Sequence, residues 1–213
     1  MKKAIITAVA MLFAGAANAT DLPSKGVPKF PDIASSSSPA NSIGFSVGPE
    51  ANPGSYKKPT LWMYNFSYER EIANGLSAGA NFGTTQAHPD GELTQTVEGK
   101  LGYSLPLFAG LKGRFGAGVG QRFTDGSNYG YYALRTGVDY KVTDRITWNA
   151  IGYQYRSTFD SVHRTNYENH DYRTGVSYAL TDRQAVSAAV YRSFNKDHNK
   201  QADGFLLGYS IKF

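Results

Sequence analysis

The chain contains no cysteine. No disulfide can staple the fold, so stability has to come from burial or backbone pairing. Also missing is any apolar run near ~20 residues after Ala19, which excludes a membrane-spanning helix in that part of the chain. Charge of one sign is not in excess. Lys and Arg number 22 against 17 Asp and Glu, and the net +5 includes Lys2 and Lys3, so the balance does not call for a nucleic-acid partner. Histidine is scarce. His88, His163, His170 and His198 lack the clustered spacing of a metal site. No His-x-Ser or Asp-x-His spacing sets two catalytic groups on one strand face. No cofactor motif accompanies them, and no enzyme activity is expected.

What is abundant is Tyr (15), Phe (12) and Gly (23), a composition suited to alternating strands rather than a helical core. The mean hydropathy of −0.40 does not argue against a membrane, because only every second residue of a membrane-spanning strand faces lipid. The N-terminus reads as an export signal. Lys2 and Lys3 precede an apolar stretch over 4–16, and Ala17-Asn18-Ala19 supplies the small residues of a cleavage site. Removal of residues 1–19 is expected. Residues 20–41, with Pro23, Pro28, Pro31, Pro39 and the serine run at 35–38, form a lead-in too poor in apolar side chains to pack.

From residue 42 to 213 the chain is a succession of period-two segments. The second, over 60–72, puts Trp62, Tyr64, Phe66 and Tyr68 on one face and Asn65, Ser67, Glu69 and Glu71 on the other. The fifth, over 111–123, alternates Leu111, Phe115, Ala117 and Val119 with Lys112, Arg114, Gly116, Gly118 and Gly120. Ten such segments can be counted, with eight or twelve as alternatives. Two resist assignment: the seventh (146–158) leaves Trp148 on its polar face, and the ninth (184–194) is ambiguous in phase. Several segments reach the ~9–11 residues of a membrane-spanning strand, beyond the ~5–6 usual in soluble sheets. A polar face this rich in Gly, Arg, Lys and Glu suits a wet interior better than a solvent-facing one.

The connections alternate. Those at 73–75, 106–110, 143–145 and 181–183 are short, whereas 49–59, 88–92, 124–128, 159–170 and 195–203 are longer or polar. This is the arrangement of an outer-membrane barrel with both chain ends on the short-turn side. The final segment ends on Tyr209, Ile211 and Phe213 at alternate positions. It resembles the C-terminal signature of outer-membrane barrels that their assembly machinery recognises. Asp21-Leu22-Pro23-Ser24-Lys25 is similar to the start of mature outer-membrane proteins of alphaproteobacteria. The chain as a whole resembles a small Gram-negative porin-like or OmpA/OmpX-type barrel. The resemblance implies an all-β, antiparallel up-and-down barrel in the outer membrane. Its partners would be membrane lipid, lipopolysaccharide and the assembly machinery.

Lys100, Lys112, Arg114, Arg122, Arg135, Lys141, Arg156 and Arg173 share the polar face with Glu69, Glu98 and Asp139, and this set is expected to line the lumen. A basic interior favours small anions, and Gly116, Gly118 and Gly120 are expected to widen it locally. The reading is a narrow porin-like channel for small polar or anionic solutes. The alternative is a structural or surface-contact barrel whose 159–170 loop meets a partner. A barrel hydrolase or acyltransferase is the third option.

Overall fold

The computed structural model describes residues 41–52, 59–73, 75–88, 91–160 and 167–213. The expected signal segment, nearly all of the lead-in, and residues 161–166 of the 159–170 loop lie outside the described residues. The rest forms ten strands: β1 (Asn41–Ala51), β2 (Leu61–Ala73), β3 (Leu76–Ala87), β4 (Leu93–Phe108), β5 (Leu111–Thr124), β6 (Ser127–Lys141), β7 (Ile146–Thr158), β8 (Asn169–Ala179), β9 (Gln184–Asn195) and β10 (Lys200–Lys212). Each pairs antiparallel with its chain neighbours, and β1 pairs with β10 to close the barrel. Closure leaves no unpaired strand edge, the condition for backbone to cross a bilayer as a sheet. Among the described residues no helix is long and apolar enough to cross a membrane.

Side-chain parity sorts the wall into two faces. Outward lie Leu101 (58% exposed), Val119 (60%), Leu134 (52%), Ile151 (53%), Val190 (52%) and Leu207 (52%). An apolar belt of this extent, continuous around the barrel, is untenable in water and is what lipid requires. Inward lie the polar, charged and glycine positions. The phase of β9 is settled by its partners: Val186 stands opposite Tyr178 and Val190 opposite Thr174, leaving Ser187, Ala189, Tyr191 and Ser193 inside.

Trp148 breaks the pattern for a local reason. Asp139 pairs with Asn149 and Val138 with Ile151, so β7 carries an extra residue at Ala150. On the other side Asn149 pairs with Gly175 and Gly152 with Arg173, the same insertion seen from β8. This β-bulge reverses the phase of everything before it. Trp148 therefore faces lipid beside Tyr140 and Val176, 46% exposed, and its indole N–H donates to Thr174 Oγ1 at 3.3 Å.

The barrel has a turn end, where the chain enters β1 and leaves β10, and a loop end. At the turn end two connections use the same Thr-Asp-Arg device. Thr143 Oγ1 accepts from the backbone N–H of Arg145 (3.2 Å) and Ile146 (3.0 Å), and Thr181 Oγ1 accepts from Arg183 (3.2 Å) and Gln184 (3.0 Å). Each hydroxyl closes its turn by replacing backbone acceptors. At the loop end one expectation fails. The connection expected at 124–128, grouped with the longer or polar ones, is a tight turn of Asp125 and Gly126, with Gly126 at φ +99°. An Asp-Gly pair serves a two-residue hairpin well, so β5 and β6 run on past the point where polar composition suggests a loop.

Candidate functional site

The interior divides into two halves of different character. In the turn half the charges pair across the wall and stay open. Lys100 Nζ lies 2.8 Å from Glu69 (21% and 43% exposed), and Arg114 Nε lies 2.6 Å from Asp139 (44% and 15%). Lys112 is exposed and opposite Asp139 in register. Lys141 reaches Asp144 in the β6–β7 turn at 2.7 Å. That hydrogen bond and the lysine charge hold the Asp144 carboxyl below its ordinary value.

In the loop half the side chains close on one another. Glu98, 3% exposed, accepts from Arg135 at 2.8 Å and from Asn81 at 3.3 Å. Arg135 Nε donates to Gln154 at 2.7 Å, and Gln154 Nε2 donates to Asp171 Oδ2 at 3.1 Å. Asp171 also accepts from Arg156 at 3.2 Å and from the Ser193 hydroxyl. This polar belt runs from β3 to β9 around the bore.

Glycine makes the belt possible. Glu98 on β4 and Arg135 on β6 are separated by β5, which sets their strands about 9–10 Å apart, and in register Glu98 faces Gly120 while Arg135 faces Gly116. They meet over Gly118, where a Cβ would fall 2.8 Å from Glu98 Cδ and 3.1 Å from an Arg135 nitrogen. Gly79 lies under the Lys100–Glu69 pair in the same way, directly opposite Glu69 on one side and Lys100 on the other. Tyr131 lies over Gly120, whose Cβ would fall 2.7 Å from the ring, and the ring of Tyr191 covers Gly204 even more closely. The expected widening at Gly118 and Gly120 is therefore corrected. Their space is filled by neighbouring side chains, and Gly116 carries Arg135 Cβ at 3.7 Å from where its own Cβ would stand.

Above the belt sits a cluster that parity along the strands does not reveal. Tyr167, in the β7–β8 connection, turns inward and is 3% exposed. Its ring meets Tyr129 edge-on at 5.0 Å and Tyr131 at 5.5 Å. The guanidinium carbons of Arg122 and Arg156 stand 5.1 and 5.7 Å from the same ring centre. Tyr191 closes the opposite wall, donating to Glu50 at 2.5 Å. Arg173 rests 5.8 Å from its ring. With Leu206 (7% exposed), these rings crowd the loop half of the bore. A tyrosine inside a loop has no period to betray which way it points.

Among the described residues, four buried polar atoms have no hydrogen-bond partner: Arg122 Nε, Arg135 Nη1, Arg156 Nε and Asn169 Oδ1. Arg122 and Arg173 have no carboxylate partner among the described residues. The loop half thus carries both closed ion pairs and unmatched guanidinium donors.

A closed ten-strand antiparallel sheet, apolar outside and charged inside, is on this geometry a membrane-spanning one. The fold is that of an outer-membrane β-barrel. Among solved structures, the likeness to one porin reaches a level that speaks to fold. The NanC porin superposes with a TM-score of 0.50 over 80% of this chain and 100% of its own, at 12% identity. The KdgM porin gives 0.44 over 81% and 99%, at 14% identity. Neisserial surface protein A gives 0.40 over 82% and 97%, at 14%. At 12% identity the likeness to NanC speaks to fold alone, and nothing is argued from the other two. No family model matches the chain, and comparison with curated proteins finds no match.

On the C-terminal strand, Tyr209 pairs with Phe45 and Ile211 with Ile43 on the outward face, and the backbone of Phe213 exchanges hydrogen bonds with Asn41 at 3.0 and 2.9 Å. Among the described histidines, His170 Nδ1 lies 2.8 Å from the Tyr153 hydroxyl and its ring packs 5.1 Å from His198. None is hydrogen-bonded to a carboxylate or serine. No group of three or more His, Cys, Asp or Glu among the described residues is placed to hold a metal ion.

Proposed function

We propose that this barrel is a narrow, anion-favouring path for small polar solutes. The observation that carries the reading is the set of guanidinium donors left over once the ion pairs are counted. Arg122, Arg135 and Arg156 each keep a buried N–H without a protein partner. Leaving such a donor unmet costs about 1–3 kcal/mol, more for a charged group. Water and passing anions are the partners a hydrated bore provides, and arginine rings lower the barrier for anions. The open turn half, with Arg114 at 44% and Glu69 at 43% exposure, supports a wet vestibule. Ten strands lie near the width at which side chains fill a barrel, so a small conductance is expected.

Single-channel recording of the refolded protein in a salt gradient tests this. Wild type should conduct weakly, with a reversal potential that favours anions. Replacing Arg122 and Arg173 with Glu should move that potential toward cations without breaking an ion pair. Arg114 and Arg135 are poorer choices, since each is bound to a carboxylate. A heat-modifiable, folded protein that passes no current at any voltage sinks the channel reading. That outcome supports the second reading, a barrel that presents its loops without transport. Its favouring observation is the burial of Tyr131, Tyr167, Tyr191 and Leu206 within the loop half. Residues 1–19 are, in the same proposal, an export signal, and Tyr209, Ile211 and Phe213 are recognised during assembly.

A further inference from the structure

Tyr167 is packed inside the barrel among two arginines and two tyrosines. The walls come from three consecutive strands: Arg122 from β5, Tyr129 and Tyr131 from β6, and Arg156 from β7. Two guanidiniums flank one aromatic ring at 5.1 and 5.7 Å, and two tyrosine edges meet it at 5.0 and 5.5 Å. Arg156 Nη1 donates to the Tyr167 hydroxyl at 3.5 Å, while the Nε of Arg156 and the Nε of Arg122 are buried and without a partner. The nearest carboxylates are engaged. Asp171 holds Arg156 through its other terminal nitrogen, Glu98 holds Arg135, and Glu50 accepts from Tyr191.

A phenol uses only part of what this cage offers. Its ring satisfies the cation–π and edge-on contacts, but it brings no negative charge for the two idle Nε–H donors. A carboxylate on such a ring would meet them, because charge-assisted hydrogen bonds from arginine are the stronger kind. We propose that the space between Arg122, Tyr129, Tyr131 and Arg156 is a binding site for a ring-bearing monocarboxylate, of which Tyr167 is the built-in occupant. The inference concerns what the space binds once Tyr167 is removed, and it does not rest on the proposed path. Binding itself requires no conduction.

The test uses the full-length refolded protein with Tyr167→Ala, and Tyr167→Ser as a second variant that also empties the cage. Heat modifiability shows which variants are folded. Calorimetric titration uses benzoate as the probe, with acetate for charge without a ring and 4-methylphenol for a ring without charge. Either folded variant should bind benzoate at least tenfold more tightly than wild type does, and at least tenfold more tightly than it binds acetate or 4-methylphenol. Adding Arg122→Gln should abolish that gain, and Tyr167→Phe should behave as wild type. Equal benzoate binding in wild type and the emptied variants would overturn the proposal, as would equal affinity for acetate. Benzoate binding by a barrel that never conducts would uphold the site while removing the channel. A conducting barrel with no benzoate preference would do the reverse.

Discussion

Replacing Gly118 with Val isolates the role of lumen glycine. The residue sits on β5 with ordinary strand backbone, and β-branched side chains favour strands, so local conformation gains up to ~1 kcal/mol from the change. The lumen contact runs the other way. A Cβ at this position falls 2.8 Å from Glu98 Cδ and Oε1 and 3.1 Å from Arg135 Nη1, and the two methyl groups beyond it block the line between carboxylate and guanidinium. Glu98 is 3% exposed, so losing its 2.8 Å bond to Arg135 leaves a buried carboxylate held by neutral groups, Asn81 at 3.3 Å and the Tyr131 hydroxyl. Breaking a buried pair costs ~3–5 kcal/mol. Arg135 is 29% exposed and can rehydrate, which favours the low end. The net expectation is a loss of about 2–3 kcal/mol. Gly152→Ala is the control. It lies on the same inner face, but its Cβ meets only Arg173 at 3.7 Å, an ordinary contact, and the change should be neutral within ~0.5 kcal/mol. Urea titration in lipid vesicles, followed by heat modifiability, measures both. Glu98→Gln in the Gly118→Val background should recover most of the loss, giving a coupling of ~1–2 kcal/mol in the double-mutant cycle. Equal destabilisation by the two glycine substitutions, or no coupling to Glu98, would refute the idea that Gly118 exists to let this pair meet.

Other consequences follow from the wall and its turns. Deleting Ala150 alone makes β7 regular and leaves Trp148 and Ile151 two positions apart on the lipid face, so the heat-modifiable band should survive; deleting Asn149 as well throws them onto opposite faces and should abolish it. Val119→Arg places a charge on the lipid face at a position 60% exposed; it should cost ~2–4 kcal/mol if Val119 lies near the bilayer midplane and ~0–1 near an interface, so vesicle unfolding reads its depth. Thr143→Ala and Thr181→Ala remove equivalent turn bonds and should each cost ~0.5–1.5 kcal/mol, by nearly equal amounts in the same titration. Mass spectrometry of protein extracted from membranes should find Thr20 as the first residue; intact Met1 would remove the export signal.

The wall of this barrel is legible in the sequence because its chemistry repeats every two residues. Trp62, Tyr64 and Phe66 face lipid, and their neighbours do not, so the count of ten strands and nearly all of their faces can be read directly. Trp148 shows the limit of that reading. One inserted residue at Ala150 inverts the phase, and nothing in the local composition marks a bulge. The 124–128 segment shows another limit, since Asp125 and Gly126 are equally at home in a long loop and in a two-residue turn. The separation of the lumen charges into pairs is not legible at all. Parity says that Glu98 and Arg135 point inward, but whether they meet depends on the register of three strands and on what stands between them.

That dependence explains why the lumen glycines mislead when read along the chain. Taken along one strand, Gly116, Gly118 and Gly120 are missing side chains, and missing side chains suggest a wider bore. Taken around the barrel, such glycines are low points over which residues of adjoining strands can lie flat. Gly79 carries Lys100 and Glu69, Gly118 carries Glu98 and Arg135, and Gly120 and Gly204 carry the rings of Tyr131 and Tyr191. The glycines therefore narrow the bore where a larger residue would have held its neighbours upright and apart. In the loop half this packing brings Tyr131 against Tyr167 and sets Arg135 within reach of Glu98, leaving the Nε–H groups of Arg122 and Arg156 as the unmatched donors beside the ring. Any selectivity of this barrel would then be written less in the number of its arginines than in which of them the glycines allow to be neutralised.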